Sequence, residues 1–461
     1  MNDDPTVLLT APGRELLARL AAEPAGGGLA LAVRLRREYP AGLVAAATAQ
    51  HELRLAARAK FSRAADMLFT RSGYEQSSSE PIARYRAERL GAARRVADLC
   101  CGIGGDLLAL APGRDVLAVD RDEVHARLAL HNAAVYGEAE RVRALVADVR
   151  DLSLADLDAV FIDPARRSGP GSASAGPGIA PAGPGPASAG VGAASGGRGG
   201  ASSGAAQRFR AGLSEPPLDW CFALADRVPA VCVKAAPGLP LDLLPDGWEA
   251  EFIADGRDLK EAVLWSPALA SAPAADSARP RRATVMSGTG PRSLVAYPGA
   301  PVPVTEPGRY LLDPNPAVTR AGLVEDLARA LAAADGAAAG AAGAAGAASD
   351  ADAGVGVGAS TSDRDGVAKI DPRIAFLTLS WPAQTPFART LRVLDSAPWN
   401  EKRFAKRLRE LGIGAADIRR RGLAGDVDQI HRRLKLAGPN RATIVITRVN
   451  DKPWGLICTD P

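Results

Sequence analysis

The chain has 461 residues, of which 47% are hydrophobic, and its 56 Lys and Arg exceed its 52 Asp and Glu only slightly. This length predicts two or three domains, and no stretch approaches the 18 apolar residues typical of a membrane-spanning helix. Five cysteines without a CxxC pair argue against a zinc ribbon or a disulfide framework, so we expect a reducing, cytoplasmic environment with neither membrane nor metal as partner.

Two segments have almost no pattern. Residues 168–206 carry a single charge, Arg198, among Gly, Ala, Ser and Pro, and residues 336–360 repeat this composition. Neither segment can bury enough apolar surface to offset the entropy of ordering, so both are predicted to be disordered insertions.

The chain begins with a predicted helical region, residues 1–90. Apolar residues recur with helical spacing over residues 8–70, and a further helix is expected to start near Pro81, since proline is favoured in the first turn.

Short β-type runs then alternate with helical segments over residues 91–272. This pattern predicts an α/β domain with a Rossmann-like sheet of seven strands, mostly parallel and with an antiparallel edge. The predicted strands are 96–99, 115–120, 142–148, 158–163, 230–236, 250–254 and 259–265.

Residues 273–461 are predicted to form a second, smaller α/β domain. A hairpin is expected around residues 288–291, and another around Asn450-Asp451 near the end of the chain. Residues 400–453 carry fourteen Lys and Arg against six Asp and Glu. This local excess favours a polyanionic partner, although solvated helix faces would give the same composition.

A glycine-rich loop follows the first strand of the sheet in the sequence VADLCCGIGGD. Gly102, Gly104 and Gly105 would let a ligand approach the backbone closely. A dinucleotide fingerprint requires a third glycine where Leu107 stands, and an apolar residue where Asp98 ends the strand. The acid favours a cationic or amine-bearing ligand over a pyrophosphate.

Acidic residues also end the next three strands. Asp120, Asp148 and Asp163 should meet at the carboxyl edge of the sheet, where open α/β sheets bind ligands. Asp120 could accept hydrogen bonds from a ribose, and Asp148 from an adenine amino group.

These motifs resemble those of class I S-adenosylmethionine-dependent methyltransferases, and more narrowly of bacterial members with a C-terminal THUMP-like domain. The stretches SSSEPIARYRAERL, RVADLCCGIGGD and LHNAAVYG also resemble the core of trimethylguanosine synthase. The resemblance implies S-adenosylmethionine as cofactor, with Asp98 at its methionine end and Gln76 and Ser77 above it. The full cofactor set that it implies is Gln76, Ser77, Asp98, Gly102, Gly104, Asp106, Asp120, Arg121, Asp148 and Val149.

The fourth strand ends in IDPARR, where amino-group methyltransferases that this chain resembles carry Asp or Asn, two prolines and an aromatic residue. Asp163 and Pro164 keep the first half of that motif, and Ala165 and Arg166 replace the second. Asp163 could accept from a target amino group, guanine N2 by analogy, and an arginine plane can stack on a base. Arg166 could instead form a structural salt bridge.

Lys234 supports a different reaction. It ends the fifth strand. Ribose 2′-O-methyltransferases carry a catalytic set of Lys, Asp, Lys and Glu, in which a lysine deprotonates the hydroxyl, and Asp163, Lys234 and Glu261 resemble its last three members. The first lysine of that set is absent, and Lys234 could simply pair with a nearby acid.

The basic tail leads us to expect RNA as the substrate. The predicted RNA-binding residues are Arg419, Arg420, Arg421, Arg432, Arg433 and Lys435. Two alternatives remain open, a small-molecule methyltransferase and an RNA-binding protein without activity. The four histidines do not cluster, so no metal site is predicted.

Overall fold

The computed structural model describes residues 4–22, 33–166, 214–271, 279–341, 366–423 and 426–461. The insertion predicted at 168–206 lies outside them. So does the insertion at 336–360 beyond Ala341, whereas residues 336–341 continue a helix.

The described chain forms two compact units. One contains the described parts of Met1–Gly171, Gly204–Glu249 and Ala262–Ser271, and the other those of Ala250–Glu261 and Ala272–Pro461.

The N-terminal helices belong to the first unit. A 3₁₀ turn comes first, and the helices that follow it in the described ranges include α1 (Ala11–Ala22), α2 (Ala41–Ala57), α3 (Arg71–Gln76) and α4 (Glu80–Arg89). Apolar side chains of α1, of α2 and of the turns after α2 form one core with Ile103, Leu108 and Leu128 of the following α/β region.

The helical pattern predicted up to residue 70 is wrong beyond Ala57. The next residues form turns and extended chain, in which Phe61 and Leu68 are nonetheless buried. The Asn132 side chain donates to the carbonyl of Leu68 and accepts from its amide. Tertiary hydrogen bonds thus replace those of a helix, and the apolar spacing reflects packing alone.

The first sheet has nine strands in the order β11-β10-β8-β9-β7-β4-β1-β2-β3. They are β1 (Arg95–Leu99), β2 (Asp115–Asp120), β3 (Val142–Val146), β4 (Ala159–Ile162), β7 (Ala230–Ala235), β8 (Glu249–Asp255), β9 (Asp258–Trp265), β10 (Arg281–Ser287) and β11 (Gly290–Val295). The helices α5 (Leu107–Leu110), α6 (Glu123–Val135) and α7 (Leu218–Ala223) connect its strands.

All seven strands predicted for this sheet are present, but the count of seven is wrong. The hairpin β10–β11, expected in the second domain, extends the sheet because β10 pairs in parallel with β8 from Arg281 to Met286. Its local sequence gave no sign of which sheet it would join. The antiparallel strand β9, predicted at an edge, lies inside the sheet between β7 and β8.

A short ribbon lies just after β4. Ala165–Arg166 (β5) pairs in antiparallel fashion with Ser214–Glu215 (β6). The chain thus leaves and re-enters the described structure at adjacent points.

The second sheet has seven strands in the order β13-β14-β12-β15-β18-β17-β16. They are β12 (Tyr310–Pro314), β13 (Ala368–Lys369), β14 (Leu377–Leu379), β15 (Ala388–Pro398), β16 (Ile413–Arg420), β17 (Asn440–Val449) and β18 (Lys452–Thr459). Four helices accompany them, α8 (Pro316–Ala321), α9 (Val324–Ala341), α10 (Glu401–Glu410) and α11 (Val427–Leu434).

The hairpin predicted at Asn450-Asp451 is confirmed as β17–β18, and both turn residues have positive φ, 47° and 64°. The long strand β15 was not predicted, since its arginines and a β-bulge between Val393 and Asp395 interrupt the apolar alternation.

Within the described chain, no helix combines the length and apolar character needed to cross a membrane.

Candidate active site at the carboxyl ends of strands β1, β2 and β4

The glycine loop after β1 turns on three residues with positive φ, Cys100 at 60°, Gly102 at 52° and Gly104 at 84°. A Cβ on Gly104 would lie 3.1 Å from the Cα of Ala129 in α6, so this glycine permits close packing of loop and helix. A Cβ on Gly102 would meet nothing within 4 Å. Gly102 therefore borders open space, as a ligand-binding loop requires.

Asp98 lies at the tip of β1 and is only 1% exposed. Neither carboxylate oxygen has a hydrogen-bond partner among the described residues. Burial raises the pKa of Asp98 well above its usual range, and the charges of Asp106, Asp163 and Asp120 raise it further. A buried acid without partners is costly to the fold, so a donor supplied by a ligand is the expected compensation.

Asp106 is already paired within the protein. Its carboxylate accepts from Arg86, which is buried and lies over the Phe161 ring at 5.4 Å. The predicted contact of Asp106 with the cofactor would thus add to an existing ion pair.

Asp120 ends β2 and is held by its surroundings. Its Oδ2 accepts from the Gly102 amide at 2.9 Å, and its Oδ1 accepts from the Asp122 amide at 2.9 Å. His125 Nδ1 lies 3.7 Å from Oδ1. Burial alone would raise the pKa of Asp120, but the nearby His125 ring and the hydrogen bonds from the two amides outweigh it and lower the pKa. The neighbouring Arg121 is exposed.

The role of His125 was not recognised in the sequence, which shows only two separate histidines, His125 and His131, on α6. The nearby Asp120 carboxylate raises the pKa of His125 despite the burial of the ring. The spacing of five residues from a strand-end acid is the one signal that could have suggested this pair.

Asp148 follows β3 and pairs with Arg150. The guanidinium donates to both carboxylate oxygens, at 2.9 and 2.6 Å. This pairing lowers the pKa of Asp148 to about 2. Val149 is buried beside it. Arg150 also contacts Glu215 of the β5–β6 ribbon at 2.9 Å.

The loop at residues 74–77 is fastened by Lys60, a residue that sequence reasoning missed. The Lys60 ammonium donates to the carbonyls of Tyr74, Glu75 and Ser77 at 2.7, 3.3 and 2.9 Å. Ser77 in turn packs on the glycine loop, because a Cβ on Gly105 would lie 3.0 Å from the Ser77 Cβ.

Asp163 and Lys234 form an ion pair at the tips of β4 and β7, with 2.6 Å between Oδ2 and Nζ. The two competing predicted sets therefore meet in one place. The Gln76 carbonyl lies 3.5 Å from the same ammonium, which brings the predicted loop to this pair. Pro164 is buried.

Glu261 and Arg166, the other residues predicted to act near the target atom, lie on β9 and β5. Glu261 of β9 is 4% exposed. The backbone of Arg166 forms part of β5, and Arg167 lies outside the described residues.

The predicted RNA-binding residues divide into two groups. Arg432, Arg433 and Lys435 are exposed at the end of α11. Arg419 and Arg421 instead pair with Asp417 at 3.1 Å and Asp313 at 2.9 Å, and Arg420 next to them is half-buried.

No group of three or more His, Cys, Asp or Glu in the described ranges could hold a metal ion.

Models of three protein families match separate parts of the chain. The model for RNA cap guanine-N2 methyltransferases matches residues 93–169, and one described as THUMP domain-like matches residues 388–460. A domain of unknown function matches residues 3–57.

Proteins described as uncharacterized S-adenosylmethionine-dependent methyltransferases from two strains of Mycobacterium tuberculosis are each 31% identical to this chain over 403 residues, covering 83% of it and 85% of their own length. A putative methyltransferase of Porphyromonas gingivalis has a crystal structure with a TM-score of 0.64, at 19% identity and with 91% of both chains covered. That structure has the same fold.

Proposed function

Because the chain belongs to the family of S-adenosylmethionine-dependent methyltransferases with a C-terminal THUMP-like domain, we propose that it methylates an amino nitrogen of an RNA base, guanine N2 first among them. The observation that carries this proposal is Asp163-Pro164 at the tip of β4, inside the segment matched by the guanine-N2 methyltransferase model. S-adenosylmethionine is the cofactor, and it supplies a methyl group on a positively charged sulfur.

The residues at the sheet edge fit this cofactor. The buried, unpartnered Asp98 suits the ammonium of its methionine part, because two carboxylate oxygens there lack donors. Gly102 leaves the space beside it open. Asp120, fixed by two amides, would accept from the ribose hydroxyls, and Asp148 from the adenine amino group.

Asp163 would act on the target nitrogen. Lys234 engages Oδ2 of its carboxylate, so Oδ1 is the oxygen that would accept a hydrogen of the target amino group. An exocyclic amino nitrogen is a weak nucleophile while its lone pair is conjugated with the ring. A hydrogen bond to a fixed carboxylate draws the lone pair out of that conjugation and orients it for attack.

The same ion pair argues against the ribose reaction. A lysine acting as general base on a 2′-hydroxyl must first release a proton. In the structure the Lys234 ammonium donates to Asp163 at 2.6 Å, and losing that proton would leave the carboxylate without its partner. We therefore assign Lys234 to holding Asp163 in place.

Nucleoside mass spectrometry tests the proposal. RNA from a strain lacking the protein should lack a base-methylated guanosine that its parent contains, and purified wild-type protein should restore it. Asp163→Asn should lose most of this activity. The matched control is Asp156→Asn, since its carboxylate is 92% exposed in the loop before β4. Loss of a 2′-O-methyl nucleoside instead would establish the ribose reaction and refute the proposal.

A further inference from the structure

We propose that an arginine-lined cleft in the second compact unit, which we call the arginine cleft, binds the phosphates of the RNA backbone. The inference rests on the proposed RNA substrate and adds Arg257 and Arg389 to the predicted RNA-binding residues, of which Arg419 and Arg421 lie nearby. The cleft has a volume of about 430 Å³ and lies where the turns β8–β9 and β10–β11 meet the start of β15. Arg257 and Arg389 line it, and both are about one-third exposed.

Four guanidinium groups gather here around two carboxylates. Arg257 and Arg421 share Asp313, at 2.7 and 2.9 Å. Arg389 and Arg419 share Asp417, at 4.0 and 3.1 Å. Since each carboxylate serves two arginines, it leaves one positive charge of each pair uncompensated.

Two further carboxylates belong to this neighbourhood. Asp460 contacts Arg389 at 2.8 Å but is 78% exposed, and Asp255 lines the cleft at an exposed position. Water and salt screen exposed charges strongly. They therefore offset the arginines less than a ligand phosphate inside the cleft would.

The crowding of the guanidiniums is visible in their mutual effect. Burial lowers the pKa of Arg257, and although Asp313 opposes this, the nearby Arg419, Arg421 and Arg389 lower it further. Positive charges this close repel one another, and an anion relieves the repulsion. Guanidinium groups also present paired donors that match phosphate oxygens.

The walls of the cleft suit a nucleotide. Gly256 and Gly288 have no neighbour within 4 Å of a Cβ position, so the backbone is open to close approach. Val285, Met286 and Pro386 supply apolar surface next to it. A base or ribose could rest there while the phosphates meet Arg257 and Arg389.

Two double variants of the full chain test the inference, with equal loss of positive charge. R389Q/R419Q removes Arg389, which lines the cleft, and its neighbour Arg419; the Asp417 carboxylate that they share is 43% exposed and tolerates the change. K402Q/R409Q is the matched control, since both residues are exposed on α10. The probe is a fluorescent oligouridylate, which offers phosphates but no guanine, and anisotropy is measured over a range of salt concentrations.

Each lost phosphate contact should reduce the slope of log affinity against log salt by about 0.7 for a single strand. We expect R389Q/R419Q to lose one or two such contacts and to bind on the order of 10-fold more weakly near ~0.1 M salt, and K402Q/R409Q to resemble the wild type. Both should keep the thermal shift with S-adenosylhomocysteine, which shows an intact fold.

Equal slopes in the two variants, or the larger loss in K402Q/R409Q, would overturn the arginine cleft. Failure of the wild-type protein to bind oligouridylate would also overturn the arginine cleft. The guanine methylation proposal would still stand if the mass spectra show the methylated guanosine. The two proposals can therefore fail separately.

Discussion

Replacing Asp98 with asparagine should stabilise the protein without its cofactor and abolish the response to that cofactor. Asparagine keeps the shape of the side chain and removes a charge that is 1% exposed and has no partner in the described structure. The cost of that charge is limited by protonation, which takes about 4 kcal/mol at pH 7 if the carboxyl stays neutral in the fold. The variant loses part of this gain in stability, because its buried amide without partners costs about 1–3 kcal/mol.

The net gain should be about 2 kcal/mol, which corresponds to roughly 4–8 °C in a unit of this size. The pKa of Asp98 is raised in the folded state, so the wild type loses stability as pH rises from the unfolded value towards the raised one. The difference in unfolding free energy between Asp98→Asn and the wild type should therefore increase from about pH 5 to pH 8.

Thermal unfolding with and without S-adenosylhomocysteine measures both effects. At 100 times its Kd the ligand should add about 2.7 kcal/mol to the wild type and nothing to Asp98→Asn. Asp156→Asn is the matched control, because that acid is 92% exposed and belongs to none of the predicted cofactor residues. A variant that melts lower than the wild type and still responds to the ligand would refute the reasoning.

Further predictions concern the target side, pH and the insertion. Asp163→Ala should lower kcat at least about 100-fold, whereas Lys234→Met should lower it less and leave the KM for S-adenosylmethionine unchanged; steady-state methylation assays with the substrate RNA decide this, and a larger effect at Lys234 would contradict it. Asp120 raises the pKa of His125, so the stability that His125 adds is full below about pH 6.5 and lost as pH rises through the raised value. The melting temperature of His125→Gln should thus differ most from that of the wild type near pH 6. A difference that increases towards pH 9 would contradict a stabilising His125–Asp120 pair. Deleting residues 170–204 should leave activity unchanged and shift the melting temperature by only a few degrees, because shortening a closed loop about fourfold changes its entropy cost by about 1 kcal/mol; a large fall would show a structural role.

The strands and the acids at their ends could be predicted because both follow from local patterns. Asp98, Asp120 and Asp163 each end an apolar run, and parallel pairing of β1 with β2 and β4 brings those ends to one edge. The carboxyl ends of neighbouring parallel strands meet by geometry.

Partners from distant parts of the sequence could not be predicted. Lys60 acts on carbonyl groups, which leave no trace in the sequence, and Arg86 meets Asp106 from a different element. The place of the hairpin β10–β11 depended on which edge strand was open to it, here β8. Local patterns specify elements, whereas pairing between elements is settled only in the packed fold.

The contacts of Lys60 bear on how this protein can vary in evolution. A single ammonium from the chain after α2 secures the loop that packs on the glycine turn, and the N-terminal helices share one core with Ile103, Leu108 and Leu128. An N-terminal segment that shares its core and hydrogen bonds with the α/β region cannot be replaced by an unrelated segment without loss of these contacts. It must be inherited together with the catalytic sheet, so compensating substitutions should link the two even though they are distant in sequence.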